Sequence, residues 1–88
     1  MKFTKVEIPG LIICEPFKIN DERGFFTESF RKDLFENFLG SKINFCQENL
    51  SMSNYGVLRG LHFQIEPFAQ SKLVSVLKGK ILDVVIDI

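Results

Sequence analysis

The sequence has little of what metal centres, redox motifs and nucleic-acid-binding surfaces require. It contains one histidine, two cysteines and no tryptophan in 88 residues. A protein metal site usually needs three or four ligands, often several histidines, and no cluster with ligand spacing occurs, so we expect no metal. Eleven basic residues balance eleven acidic ones, and no Lys or Arg run exceeds two. We therefore expect no binding to nucleic acid.

The two cysteines do not form a redox motif. Cys14 and Cys46 are far apart in the sequence, and neither has a Cys-x-x-Cys partner or a neighbouring histidine. A disulfide would need an oxidising compartment, which nothing else in the sequence supports. We expect two reduced, buried thiols and no cysteine nucleophile.

Long apolar runs are also missing. The start, MKFTKVEIPG, is neither a signal peptide nor a membrane anchor, and Asp83 and Asp87 interrupt the apolar stretches near the end. We therefore expect a cytoplasmic protein that makes no contact with a membrane.

What the chain does have is apolar and aromatic content arranged in short alternating segments. Apolar residues make up 45% of the sequence, with ten phenylalanines. The length suits one small domain, residues 1–88. Several short strands separated by turn residues predict an all-β sandwich or barrel. The predicted strands lie in VEIPGLIICEPFKI, FFTESF, INFCQENLSMS, VLRGLHFQ and KLVSVLKGKILDVVIDI.

Turn residues separate these segments. Pro9 and Pro16 restrict the first to short or edge strands. NDERGFF, Asn20 to Phe26, is rich in polar residues and predicts a turn with Gly24 before a strand, and Asn54 to Gly56 predict another turn. A loop is expected around Pro67, and the last segment reads as a hairpin with residues 78–79 at its tip.

Successive side chains alternate between the two sides of a strand, so every second residue shares a face. In two of the predicted strands this spacing places particular side chains on one face. In FFTESF, Phe26, Glu28 and Phe30 share one face. The INFCQENLSMS segment presents a row of polar side chains: Gln47, Asn49, Ser51 and Ser53.

A single short helix is predicted near residues 31–39. Phe30, Leu34 and Phe38 recur at a spacing of four, Leu39 lies beside them, and Gly40 is a good stop residue. A helix of about two turns is marginal in water, so it must pack against another element.

The chain ends at Ile88, inside a predicted strand. Unpaired strand edges invite association. We expect either that this strand pairs with another chain or that the sequence is the front part of a longer protein.

The single histidine lies in the stretch RGLHFQ. His62 and Gln64 share a strand face, and Arg59 lies on the opposite face unless Gly60 marks a bulge that brings it round. Lys72 begins the next predicted strand. A sheet that gathers an imidazole, a guanidinium and an ammonium would suit an anionic substrate with one exchangeable proton. The alternative is a histidine that only satisfies a hydrogen bond on a strand.

Three segments together resemble the dTDP-4-dehydrorhamnose 3,5-epimerase family. They are DERGFFTESF, QENLSMSNYGVLRG and RGLHFQ…P..Q.KLV.V..G.I.DV.IDI, and the resemblance runs in register over essentially the whole chain. It implies a cupin-type jelly roll and a homodimer in which N-terminal strands join the partner's sheet. It also implies a reaction without metal or cofactor on a dTDP-linked 4-keto-6-deoxy sugar. A base removes the protons at C3 and C5, and reprotonation on the opposite face inverts both centres.

The resemblance assigns the catalytic roles to two residues. It makes His62 the base, and histidine, with an ordinary pKa of about 6.5, suits proton abstraction near neutral pH. It places Lys72 near the C4 oxygen, where a cation stabilises the enolate.

The resemblance also assigns substrate contacts. Arg23 and Arg59 match arginines that bind the diphosphate, which suits the bidentate donors of arginine, and the Arg23 contact is expected across the dimer. Glu28 matches a substrate-binding glutamate, and Gln47 and Asn49 match contacts to the nucleotide. Asp83 falls at a family aspartate that we regard as structural.

Length is the main departure from the family. Family members are considerably longer, and their tyrosine acid and the aspartate that orients the histidine lie past Ile88. Tyr55, in a turn, does not match that acid. We therefore expect a truncated chain with little or no full epimerase activity alone. Three alternatives stay open: a 3-epimerase, a 3,4-ketoisomerase, or a silent fragment that only dimerises or binds nucleotide.

Overall fold

The computed structural model describes residues 1–88. The backbone falls into two compact units, Met1–Glu48 and Asn49–Ile88. Every strand and the single helix lie in the first unit. The expectation of one domain over residues 1–88 stays a prediction.

Two short strands form the first hairpin. Strands β1 (Lys2–Lys5) and β2 (Ile12–Glu15) pair antiparallel, with Phe3 opposite Cys14. Pro9 lies in the connecting loop, where its missing N–H leaves no gap in the ladder. The prediction that prolines limit this segment to short strands is confirmed.

The second hairpin carries a two-residue turn. Strands β3 (Lys18–Asp21) and β4 (Gly24–Thr27) pair antiparallel, and Glu22 and Arg23 connect them. Gly24 has a φ of 131°, a conformation that residues with a side chain rarely adopt. The predicted turn with Gly24 at the start of a strand is confirmed.

Strand β4 is shorter than predicted. It ends at Thr27, whose hydroxyl donates a hydrogen bond to the carbonyl of Phe17 at 2.8 Å. Glu28 and Phe30 therefore lie beyond the strand, and the expectation that they share a strand face with Phe26 is wrong. Alternation in the sequence does not fix where backbone pairing stops, because pairing depends on the neighbouring strand.

The predicted helix is present as α1 (Lys32–Leu39). It ends at Gly40, which adopts the left-handed conformation with a φ of 71° and donates its N–H to the carbonyl of Glu36 at 2.9 Å. This is the usual helix stop, because glycine reaches positive φ without steric cost. Both the helix near residues 31–39 and its stop at Gly40 are confirmed.

An aromatic cluster fixes the helix against the first hairpin. Phe35 is the one buried residue, at 6% exposure, and its ring lies 5.0 Å from the rings of both Phe3 and Phe30. Phe38 stacks on Phe3 at 4.8 Å, and Phe45 meets Phe30 at 5.6 Å. Such pairs add about 0.5–1.5 kcal/mol each beyond the area they bury.

The centre of this cluster differs from the predicted helix face. The spacing of Phe30, Leu34 and Phe38 put those residues inward, whereas Phe35 is the most buried. Phe30 precedes the helix, so helical spacing does not set its direction. Phe30 and Phe38 both belong to the cluster, as expected, but neither is its most buried residue.

The second unit, Asn49–Ile88, contains turns and no strand or helix. Val57 donates its N–H to the carbonyl of Asn54 at 3.3 Å, at the turn predicted there, and Phe68 donates to Ile65 at 2.8 Å, where a loop was predicted around Pro67. A bend at residues 77–79 coincides with the predicted hairpin tip.

The strands predicted between residues 43 and 88 are not formed, so those predictions are wrong for this structure. Alternating apolar residues indicate which faces a strand would present. They do not supply the hydrogen-bonding neighbour that makes an extended segment a strand.

At the level of fold class the all-β prediction is supported: the regular structure consists of short antiparallel strands and one short helix. Helix α1, with eight residues, is too short to span a lipid bilayer.

Candidate functional site

Arg23 is anchored by the hairpin turn that carries it. Its backbone N–H donates to Asp21 Oδ1 at 2.8 Å, and its Nε and Nη2 donate to Asp21 Oδ2 at 3.2 and 2.6 Å. The hydrogen bonds from Arg23 lower the pKa of Asp21. Because the Arg23 side chain is 83% exposed, this pair orients the guanidinium more than it stabilises the fold.

Glu28 follows β4 and borders a shallow cavity. Its Oε2 lies 3.6 Å from Arg31 Nε, a longer approach than the hydrogen bond of 3.1 Å from the same Nε to Asp33. Arg31 is therefore bound mainly to Asp33, and the hydrogen bond and charge of Asp33 raise the pKa of Arg31. The cavity has a volume of about 170 Å³, and its walls are Met1, Phe17, Ile19, Phe26, Glu28 and Leu34.

The side chains that line this cavity are mostly apolar, with one carboxylate, that of Glu28. Its volume is below the usual range of about 300–1,000 Å³ for small-molecule pockets. It is large enough for part of a ligand, such as a single ring.

Gln47 and Asn49 are exposed side chains on the two sides of the boundary between the units. Each has an interaction partner within the protein. The row predicted for them rests on a strand that is not formed, so their shared direction stays a prediction.

Arg59 is held by its own segment. Its Nε donates to Ser53 Oγ at 2.7 Å, and its Nη2 donates to the carbonyl of Met52 at 2.9 Å. These contacts fold the side chain back toward the segment that precedes the turn at Asn54. A guanidinium held in this way loses less freedom when it binds an anion.

His62 is exposed and lies two residues after Gly60. Gly60 has a φ of 106°, and a Cβ there would lie 3.2 Å from Nδ1 of His62. The imidazole therefore lies close to Gly60, but the strand bulge expected there to bring Arg59 round to the side of His62 is not formed, because residues 57–65 form no strand.

Lys72 is also exposed, and the structure gives no hydrogen bond or ion pair to it or to His62. No hydrogen bond or ion pair links any two of Arg59, His62 and Lys72, all in the second unit. Arg23 and Glu28, in the first unit, are likewise not bonded to each other. The strand framework expected to gather these groups is not formed, so their assembly into one site stays a prediction.

No group of three or more His, Cys, Asp or Glu residues lies close enough together to hold a metal ion. Cys14 is half-buried, and burial raises the pKa of its thiol, whereas Cys46 is exposed. The two thiols are free, as predicted, but neither is fully buried.

The partners of the two arginines, Asp21 and Ser53, are not among the residues expected from the sequence. Asp21, two residues before Arg23 in a tight turn, matches a common turn pattern in which Asp bonds the backbone two residues on. That signal was available. Ser53, six residues before Arg59, has no local signal, because its bond depends on how the chain folds back at the Asn54 turn.

Known proteins that resemble this chain are sugar epimerases, a class of isomerase. The family described as dTDP-4-dehydrorhamnose 3,5-epimerase matches residues 5–88. The chain belongs to this dTDP-4-dehydrorhamnose 3,5-epimerase family, as the resemblance in the sequence implied. All the residues proposed for the site lie inside the matched range.

Curated relatives support the same assignment. The chain is 52% identical to a dTDP-4-dehydrorhamnose 3,5-epimerase of Shigella flexneri, over 100% of this chain and 49% of the relative. It is 47% identical to that of Escherichia coli K12, over 100% of this chain and 48% of the relative. For Methanothermobacter thermautotrophicus the identity is 48%, over 99% and 46%.

The chain thus spans about half the length of the curated relatives it matches. No solved structure gives a significant match.

Proposed function

We propose that the whole protein is a dTDP-4-dehydrorhamnose 3,5-epimerase. It would invert C3 and C5 of a dTDP-linked 4-keto-6-deoxy sugar in the biosynthesis of rhamnose or a related deoxysugar. The observation that carries this proposal is the family match over residues 5–88, within which the chain retains His62, Lys72 and the polar residues expected around a nucleotide sugar.

The proposed chemistry begins at carbon next to the C4 ketone. His62 accepts the proton from C3 or C5, and the electron pair moves onto the C4 oxygen as an enolate. Lys72 stabilises that charge where it develops. An acid on the opposite face of the carbon, which the family resemblance makes a tyrosine past Ile88, returns a proton there and inverts the centre. The same sequence at the second carbon completes the reaction. No metal or cofactor takes part in this proposal.

The proposed binding uses charge at one end of the substrate and polar contacts at the other. Arg23 and Arg59 bind the diphosphate through their paired N–H groups. Glu28, Gln47 and Asn49 contact other parts of the dTDP-sugar. Glu28 on the rim of a ring-sized apolar cavity supports a binding role for this region.

We propose a cupin-type jelly roll as the complete fold, in a cytoplasmic homodimer with exchanged N-terminal strands. Each hairpin of the first unit has only two strands, and therefore two edges that can accept a further strand. Many large apolar side chains of the second unit are exposed, among them Leu58 and Leu82, each at 90%. Exposure on that scale is typical of surfaces that pack against more protein.

Deuterium exchange tests the proposed reaction directly. The whole protein, rather than residues 1–88 alone, is incubated with the dTDP-linked 4-keto-6-deoxy sugar in deuterated buffer, and the C3 and C5 proton signals are followed by NMR. Loss of both signals is expected. Exchange at C3 alone would replace the proposal with a 3-epimerase. Binding of dTDP without any exchange would replace it with a silent nucleotide-binding protein.

Variants assign the roles. His62→Asn should slow exchange by about 10²–10⁴-fold, the usual contribution of a general base. Lys72→Ala should slow exchange by about 10²-fold or more while dTDP still binds. Lys78→Ala is the matched control, since Lys78 is another exposed lysine of the same unit, at the bend. If His62→Asn exchanges as fast as the parent, His62 is not the base.

A further inference from the structure

We propose that Ser53 is a positioning residue that sets the guanidinium of Arg59 for an anionic diphosphate. This inference rests on the proposed function, which gives Arg59 its diphosphate contact. It starts from one bond: Arg59 Nε donates to Ser53 Oγ at 2.7 Å. Ser53 is one of the row of polar residues noted in the sequence, and that pattern does not assign it a role.

The two hydrogen bonds that Arg59 donates occupy one edge of its guanidinium, the edge formed by Nε and Nη2. The group is planar and has five N–H donors, one on Nε and two on each terminal nitrogen. Ser53 takes the Nε donor and the Met52 carbonyl takes one on Nη2, at 2.9 Å. The remaining donors are the two on Nη1 and one on Nη2, which together form the end of the fork. A phosphate would therefore meet Arg59 end-on, through Nη1 and Nη2.

The hydroxyl of Ser53 suits this role better than a carboxylate would. A neutral acceptor holds the Nε–H without cancelling the positive charge that an anion needs. Arg23 shows the contrast, because its Nε and Nη2 bond to the charged Asp21. Arg59 consequently presents a full positive charge in a fixed direction, and both properties favour a diphosphate.

Two variants and a matched control separate positioning from a general structural effect. Ser53→Ala removes the acceptor, and Ser53→Thr retains a hydroxyl at the same place. Ser75→Ala is the control, because Ser75 is an exposed serine of the same unit that makes no bond to Arg59.

Binding is measured with dTDP and with thymidine, which lacks the diphosphate. Ser53→Ala should weaken dTDP binding about three- to tenfold, the effect of losing one hydrogen bond, and leave thymidine binding unchanged. Ser53→Thr and Ser75→Ala should bind both probes like the parent. In an Arg59→Ala background, Ser53→Ala should cause no further loss.

A second readout needs no nucleotide. The ¹⁵N–¹H signal of Arg59 Nε should be protected from exchange with water in the parent and in Ser53→Thr, and should lose that protection in Ser53→Ala. Unchanged protection and unchanged dTDP binding in Ser53→Ala would overturn the inference. A parent that binds no dTDP but keeps the protected Nε–H would instead contradict the proposed function and leave the Ser53–Arg59 contact standing. Equal weakening of dTDP and thymidine would show a merely structural role and overturn the positioning claim.

Discussion

A methyl group on Gly60 would lie 3.2 Å from Nδ1 of His62 and 3.4 Å from its backbone nitrogen. The backbone at Gly60 has a φ of 106°, which residues with a side chain rarely adopt. The position of the imidazole and the identity of residue 60 are therefore linked, although His62 is exposed and two residues away.

Gly60→Ala should accordingly strain the backbone at residue 60 by about 1–3 kcal/mol and displace the His62 ring. The matched control is Gly56→Ala, because Gly56 also has a positive φ, of 79°, but nothing within 4 Å of an added Cβ. Denaturant unfolding and the His62 ring signals in NMR are compared for both. Both variants should lose stability, and only Gly60→Ala should shift the ring signals. Equal ring shifts would show that the Gly60 contact is unimportant.

Phe35→Ala should be the most damaging phenylalanine truncation in Met1–Glu48. Phe35 is 6% exposed and contacts the rings of Phe3 and Phe30, so its removal leaves a cavity as well as lost apolar contact. We expect a loss of about 3–5 kcal/mol in the free energy of unfolding, measured by denaturant titration. Phe17→Ala, at a residue that is 67% exposed, serves as the control and should cost far less. Similar losses for both would rule out an aromatic core centred on Phe35.

Glu36 should make the helix end sensitive to acid. It accepts the N–H of Ile43 at 3.1 Å and lies 3.4 Å from Lys42 Nζ, and the Ile43 bond is the main reason that the pKa of Glu36 is lowered. A carboxyl whose pKa is lower in the folded state adds stability above its unfolded pKa, about 4.3 for Glu, and loses it as the pH falls through the folded value.

Stability should therefore decline as the pH falls from about 5 to about 3, and Glu36→Gln should show a smaller decline. The free energy of unfolding is measured by denaturant titration across this range. Glu7→Gln is the control, because Glu7 is an exposed glutamate outside this contact and should leave the parent profile unchanged. A Glu36→Gln profile that follows the parent would contradict this role for Glu36.

Asp21 should keep the turn that carries Arg23 in one ordered conformation. Asp21→Ala removes the acceptor of both the Arg23 backbone N–H and its guanidinium, so amide exchange at Arg23 should become several-fold faster. Asp21→Asn keeps an oxygen acceptor for the backbone N–H and should preserve most of the protection. Hydrogen exchange followed by NMR distinguishes the two. Faster exchange of equal size in both variants would mean that the charge, rather than the backbone bond, holds the turn.

The elements predicted correctly from the sequence depend on local chemistry. Gly24 and Gly40 both adopt positive φ, at the start of β4 and at the end of α1. Pro9 lies in a loop because it lacks the N–H that a strand would use. The short helix follows from residues spaced along one segment. In each case the residues that cause the feature are within a few positions of it.

The family assignment was also available from the sequence, since the motifs around Arg23, Arg59 and His62 are short and in register. The expected site depends on the same residues, and their identities are unaffected by the structure. Their arrangement relative to one another could not be obtained in this way, because it requires strands that pair with distant neighbours.

The sequence by itself determined the turns, the helix, the helix stop and the set of residues that carry the epimerase resemblance. The tertiary structure decided that Phe35 forms the centre of the aromatic cluster, that β4 ends at Thr27, and that Ser53 binds Arg59. The physical reason is the range of the interactions. Backbone preferences act within a few residues, whereas ring packing, strand pairing and side-chain anchoring depend on which distant segments meet.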